Sequence, residues 1–409
     1  MHISLDSALG RQRRLNSVGE TISSIAPLAA AYSLRSLTGG DPRAVRVRRV
    51  IDNAESDFTA SGISSGALVD FVNQIQTVGT AVNGTGSFDN YTVSNLSTTG
   101  FSADNSAGGT GSAGFPYVFK DEDVIVVKYT VTNFSSTASL SPQIRGVNAT
   151  SSVTGKTNSG TAFTANGTYT DTLTATADGT HLMFADGNTG SYTISDFEIV
   201  SHSSSGFVDT WYDQSGNDNH AINDTDDEQP KIVSSGSLIA DGIDFDGSDD
   251  TLTAASVSGF GATISMFAAS VRDSGGAAVV SMGSSASGTT NFGTIEGNSV
   301  SNINSRNTTS VTASASVSGT TRLTFGVTTG QTSTKVGALG GTLVESTDDY
   351  GDDFTSGELD TIFLGKLRAG SGSSFNGHIK EALIYTTDQS SNRDAIEANI
   401  ANYYNITLV

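Results

Sequence analysis

Short runs of alternating apolar and polar residues, separated by clusters of Gly, Ser, Thr, Asn and Asp, fill most of this chain. A period of two marks strands with one buried face. DVIVVKYTVTNF, YTDTLTATA and SYTISDFEIVS follow it, as do TISMFAASV, RLTFGVTT and HIKEALIYT further on. Many short strands punctuated by turn residues predict an all-β fold of sandwich type. AVRVRRVID reads as one such strand, with Val45 and Val47 on one face and Arg46 and Arg48 on the other. Three stretches break the alternation. PLAAAYSLRSL (27–37) has helix-forming composition and stops at Gly39–Gly40–Asp41–Pro42. GALVDFVNQIQ (66–76) reads as a short helix or strand. SSNRDAIEANIANYYNI puts Ile396, Ile400 and Tyr403/Tyr404 at helical spacing, so a C-terminal helix is expected with Ser390 or Ser391 as its N-cap.

At 409 residues the chain is too long for one ordinary core. Residues 78–204 form a block of alternating runs and polar turns, enough for a stand-alone β-sandwich of roughly eight strands. Its closing pair, MFADG then SYTISDFEIVS, resembles the final hairpin of jelly-roll carbohydrate-binding modules. Residues 1–26 read as an arm, because Leu9, Leu15, Val18, Ile22 and Ile25 have only loose helical spacing. Such an arm folds against a partner or packs on its own domain.

Charge sharpens this division. The net charge is −21, yet residues 1–49 hold eight arginines against three acids. The acidic remainder disfavours nucleic-acid binding. The arginines either dock on an acidic partner, with Arg11, Arg13 and Arg14 as anchoring candidates, or pair with local acids such as Asp52, Glu55 and Asp57. The absence of cysteine excludes disulfides, thiolate metal sites and a Cys nucleophile. Met1–Ala30 lacks the signal-peptide pattern, and no apolar run has the length of a membrane span.

The candidate chemistry gathers around FVDTWYDQSGNDNHA (207–221), which holds the sole tryptophan. It reads as a strand entering a tight, oxygen-rich turn, suited to capping its own backbone or to holding a sugar or a hard cation. Trp211, Tyr212, Asp213 and Asn217 are the carbohydrate candidates. Trp211 and Tyr212 point to opposite faces of a strand, so at most one is exposed, and Trp211 is expected to be buried. Asp224, Asp226 and Asp227 in DTDDEQ are candidate Ca²⁺ ligands, as is the DDYGDD run at 348–353, without the EF-hand spacing; both also read as solvated acidic loops. Neither a Ser-His-Asp order nor a metal-binding His pair stands out among the five histidines.

AYSLRSL (31–37), VRVRRVIDNAESDF (45–58), FVDTWYDQSGNDNHA, QPKIV (229–233), IDFDGSDD (243–250) and FNGHIKEALIYTTDQSSNRDAIEANIANYY (375–404) together resemble a concanavalin-like, laminin-G-like domain common in marine and cyanobacterial phage structural proteins. The arrangement is also similar to the catalytic domain of fungal α-L-arabinofuranosidases. The resemblance implies a concanavalin-like sandwich from 27–77 and 205–409, a jelly roll at 78–204 inserted into one of its loops, and the 1–26 arm as a virion anchor. It further implies a virion protein assembled in the bacterial cytoplasm and exposed on the particle: a tail fibre, adhesin or baseplate component that meets host-surface glycan, or a capsid decoration. A homotrimer would be in keeping with a fibre. An arabinofuranosidase needs a pair of carboxylates. The family's enzymes carry disulfides that this chain cannot form, and the nucleophile motif is not recognisable; Glu296 is the nearest isolated acid in a strand-like context. The expectation is therefore a non-enzyme.

Overall fold

The computed structural model describes residues 21–84, 91–106, 111–135, 140–145, 160–186, 190–285, 290–355, 357–368 and 374–409. Arg11, Arg13 and Arg14 lie outside the described residues. The fold is all-β, with antiparallel sheets and one C-terminal helix of three turns.

Nineteen strands form one hydrogen-bonded set that comprises two facing sheets. The first runs Glu55–Thr59, Arg43–Arg49, Gly206–Trp211, Lys231–Ser234, Ile243–Asp246, Asn376–Tyr385, Thr263–Ser274 and Thr321–Thr329. The second runs Ala221–Ile222, Leu252–Ala255, Thr361–Leu364, Ala277–Gly283, Asn291–Glu296 and Val300–Arg306. Gly206–Trp211 belongs to the first sheet along its length, but its last residues pair Thr210↔Ile222 and Trp211↔Ala221, which starts the second. Apolar side chains from both sheets interleave in one core: Val45, Val47, Val208, Ile243 and Ile379 from one, Leu252, Ile362, Leu364, Val280 and Phe292 from the other.

Arg43–Arg49 shows the expected alternation, with Val45 and Val47 buried in this core and Arg46 and Arg48 on the outer face. One end of that outer face is covered by the helix Arg393–Tyr404, whose Ile396 and Ile400 pack on Phe267, Phe325, Leu383 and Tyr385. Ile22 and Ala26 join the same cluster, so residues 21–26 pack on the body. Two local expectations fail here. Within 27–37 the chain forms a strand, Ala30–Ser33, fully buried and paired with residues 381–384. Alanine's helix propensity amounts to tenths of a kcal/mol per residue and yields to burial on both faces and a ladder on Asn376–Tyr385. The C-terminal helix has Asn392 at its N-cap position without a side-chain cap, and Ser390 Oγ donates instead to Asp388 at 2.6 Å.

Strands from Val82–Asn83 to Ser191–Ser203 form two further sheets, of five and four strands. A separate aromatic core fills the space between them, including Phe101, Phe115, Phe163, Phe184, Tyr129 and Tyr192. The segments leaving and re-entering the body are tied to each other and to the Ser235–Gly236 turn. Asn73 Nδ2 donates to the Gly236 carbonyl at 2.9 Å, and Asn73 Oδ1 accepts from Ser204 N–H at 3.1 Å.

Candidate functional site

The DQSGNDN turn is a clamp. Asp213 Oδ1 accepts from the N–H groups of Ala31 (2.8 Å) and Ser215 (2.9 Å). Its Oδ2 accepts from Ser215 Oγ–H (2.6 Å) and Asn219 N–H (3.0 Å). Gln214 Oε1 accepts from Leu37 N–H, while its Nε2 donates to the Ser33 and Arg35 carbonyls, each at 2.9 Å. Asn217 and Asn219 both donate to the Ala29 carbonyl at 3.0 Å. Gly216 has a φ of +90°, which the reversal needs and which L side chains rarely adopt. Trp211 is 0% exposed and touches Tyr32, so it has no free face for a ligand. Tyr212 is buried, donates to Asp57 Oδ1 at 2.7 Å and carries Arg43 over its ring at 4.5 Å. Asp213, Gln214, Asn217 and Asn219 thus hold the 28–37 segment or the turn's own backbone, Tyr212 is tied to Asp57, and Asp218 alone of the turn's acids stays exposed.

The other end of the same strand faces outward into a groove. Sheet register places Glu55, Arg48, Phe207, Lys231, Asp244 and His378 in one transverse row across six strands. Residues directly opposite in antiparallel strands share a face and lie within side-chain contact of one another. Arg48 and Lys231 carry their charges 5.3 and 5.7 Å from the centroid of the Phe207 ring. His378 Nε2 lies 3.5 Å from Asp244 Oδ1, and its Nδ1 lies 3.8 Å from Asp273 Oδ2.

A cavity of about 480 Å³ lies over the Arg48–Asp244 part of this row, within the range of ligand pockets. Its walls come from four places: Asn53 on the turn after Arg43–Arg49, Asp226 and Asp227 on a single 3₁₀ turn, Asp246 at the end of Ile243–Asp246 with Asp250 on the turn that follows, and Lys120 from the 78–204 block. Each guanidinium nitrogen of Arg48 makes a hydrogen bond: Nε donates to Gln229 Oε1 (2.7 Å), Nη1 to Asn53 Oδ1 (3.0 Å) and Nη2 to the Asp226 carbonyl (2.9 Å). Lys231 Nζ pairs with Glu122 across the junction at 3.3 Å, and Lys120 Nζ with Asp178 at 2.8 Å. The carboxylates keep more free capacity. Asp250 is 7% exposed, and its one hydrogen bond is with Asp246 N–H at 2.9 Å. Burial, then the charges of Asp246, Asp249 and Asp244, push its carboxyl up to about 7. Burial also raises Asp244. The groove therefore combines one flat apolar ring, several hydrogen-bond acceptors and a carboxyl able to hold a proton near neutrality.

Asp224, Asp226 and Asp227 do not converge; Asp226 Oδ1 sits 3.3 Å from Arg48 Nε. Among the described residues, ligand atoms come within 4.8 Å of one another at Asp244/Asp273/His378 and at Asp246/Asp249/Asp250. The oxygens of the latter trio are the better match to a hard cation. In DDYGDD, Tyr350 is buried, and Asp349 and Asp353 accept from Gly351 and Gln331 N–H groups. Glu296 is fully enclosed, bonded by Ser301 and Thr324 hydroxyls at 2.7 Å and paired with Arg322 at 3.2 Å. It has no route to a substrate. Of the N-terminal arginines, Arg46 and Arg43 pair with Asp57, and Arg49 with Asp52.

No family model and no curated protein matches this chain. Among solved structures it is similar to the Ruminococcus gnavus IT-sialidase CBM40, at 18% identity over 32% of this chain and 80% of that one, with a TM-score of 0.28. Domains LG4-5 of the mouse laminin α1 chain show 11% identity over 66% of this chain and 84% of that one, with a TM-score of 0.28. A Trypanosoma rangeli sialidase in complex with the inhibitor DANA shows 12% identity and a TM-score of 0.35; the match covers 46% of this chain and 30% of that one. No helix among the described residues is long and apolar enough to cross a membrane.

Proposed function

We propose that this chain binds glycan in the groove floored by Arg48, Phe207, Lys231 and Asp244. The observation that carries the reading is the half-buried Phe207 ring set among hydrogen-bonding side chains on the floor of a 480 Å³ cavity. A sugar ring offers an apolar C–H face for such a ring and hydroxyls for the surrounding carboxylates, which is the pairing of apolar surface and placed polar groups that pockets use. A glycan array probed with the full chain tests it: binding that is lost in Phe207→Ala supports the reading, and a blank array for the wild type removes it.

The wider setting in this proposal is a bacteriophage virion, in a tail fibre, adhesin or baseplate position, with residues 1–26 as the anchor. Its support is the sequence resemblance of the 45–58, 207–221 and 243–250 motifs. Particles assembled with residues 1–20 deleted should lack the protein, and cryo-EM of whole particles separates tail from capsid. The domain division is part of the same proposal and is supported by the separate aromatic core: residues 78–204 expressed alone should melt cooperatively.

One observation favours a glycosidase as second reading. Asp250 combines a carboxyl near neutral pKa with neighbouring carboxylates in a cavity, the environment of a general acid. Incubation with aryl arabinosides and polysaccharides, without product, ends it.

A further inference from the structure

Behind the wall that the 78–204 block contributes to the groove lies a buried polar chain with no part in the contacts described so far. Tyr117, on the strand Gly111–Phe119, His202, near the end of Ser191–Ser203, and Asp123, in the turn that begins at Lys120, are all buried. Gln76 N–H donates to Tyr117 Oη at 3.4 Å. Tyr117 Oη lies 2.9 Å from His202 Nδ1, and His202 Nε2 lies 2.8 Å from Asp123 Oδ2. The same Asp123 oxygen accepts the Lys120 N–H at 2.7 Å, and Asp123 N–H donates back to the Lys120 carbonyl at 3.1 Å.

The two ends of this chain fix its direction. A backbone amide only donates and a carboxylate only accepts. With Tyr117 O–H donating to Nδ1 and Nε2–H donating to Asp123, each buried donor has an acceptor. Desolvation pushes the Tyr117 hydroxyl up to about 12, which keeps it a donor.

The turn so fixed reaches the groove from the far side of the junction. Lys120 lines the cavity, and Glu122 pairs with Lys231 on its floor. Glu122 has a φ of +67°, a left-handed conformation that a non-glycine residue keeps only where its surroundings impose it. The chain also touches both crossing segments: Gln76 on the way out, and His202 just before Ser204 on the way back.

We propose that the Tyr117–His202–Asp123 chain is the positioning device of the groove, setting the Lys120–Asp123 turn against the Phe207–Lys231 floor and so fixing the gap between them. His202 is a positioning residue that touches no ligand. The proposal rests on the groove being the binding site.

The test uses the full chain and its His202→Phe and His202→Gln variants. Phenylalanine removes both ring nitrogens; glutamine restores a donor for Asp123. The readouts are the melting temperature, the exchange rate of the Lys120 amide by NMR, the His202 ring-nitrogen shifts of the wild type, and binding of whichever array glycan the wild type retains. The expected result is a His202 ring protonated at Nε2 alone, and a Lys120 amide that exchanges roughly tenfold faster in His202→Phe, the loss of about one buried hydrogen bond. Amides of Val124–Thr132 keep their protection, and His202→Gln recovers most of the Lys120 protection. Unchanged Lys120 exchange in a folded His202→Phe overturns the proposal, as does a wild-type ring protonated at Nδ1. If His202→Phe does not fold, Tyr117→Phe removes a single hydroxyl, and the same amide decides the matter by the same criterion. Faster Lys120 exchange with no glycan bound by the wild type upholds the positioning role and removes the glycan reading instead.

Discussion

The strand Gly206–Trp211 carries two regions of opposite character at its ends. At Trp211–Asn219, Asp213, Gln214, Asn217 and Asn219 have spent their capacity on backbone groups of residues 28–37 and on the turn itself. At Phe207, the cations are paired with neighbours, while carboxylates and the half-buried ring line a cavity. Both regions contain Asp, Asn and an aromatic residue within a few positions. What separates a corner from a candidate site is how many hydrogen-bonding valences remain unspent, and residue type alone does not show this.

The largest effect is expected at Asp213. Asp213→Ala leaves the buried Ala31 amide and the partly buried Ser215 and Asn219 amides without their acceptor, so urea melts should show a loss of roughly 3 kcal/mol. A loss below about 1 kcal/mol would mean the corner is not a clamp.

Asp250 should behave in the opposite sense. Its folded-state pKa of about 7 lies above the unfolded value. The folded state therefore holds a proton that the unfolded state releases. The favourable contribution is complete below about pH 4 and is lost as pH rises to about 7. Asp250→Asn removes that loss, so at neutral pH it should be more stable than the wild type by of order 2 kcal/mol, with the gap closing towards pH 4. A constant gap across this range would contradict the assignment.

Phe207→Ala should cost about 1 kcal/mol in stability, because the ring is only half buried. Smallest is Asp57→Asn. The Arg46 guanidinium, then the Tyr212 hydroxyl and Arg43, hold Asp57 down to about 2. Its contribution is present above about pH 4 and lost as pH falls to about 2, and its partners are partly exposed, so under about 1 kcal/mol is expected at neutral pH.

Much of the fold was legible because alternation with one buried face is a local signal: Arg43–Arg49 shows it directly. Ala30–Ser33 was not, since a short apolar run buried on both faces has no period to read. The groove was illegible for another reason. Arg48, Phe207, Lys231, Asp244 and His378 come from five separated strands, and register alone aligns them. The one available hint was charged or aromatic residues at outward positions of strands whose inward positions are apolar, as in VRVRR and IDFDG. His202 gave no signal, because the sequence does not show that the ends of Gly111–Phe119 and Ser191–Ser203 meet the 120–123 turn.

Groove and corner are separated by comparing glycan binding by Phe207→Ala, in the groove, with binding by Asn217→Ala, in the corner, both at wild-type melting temperature or corrected to it. The prediction is at least roughly tenfold weaker binding for Phe207→Ala and unchanged binding for Asn217→Ala. Retained binding in Phe207→Ala with loss in Asn217→Ala would place the site in the corner and contradict the account.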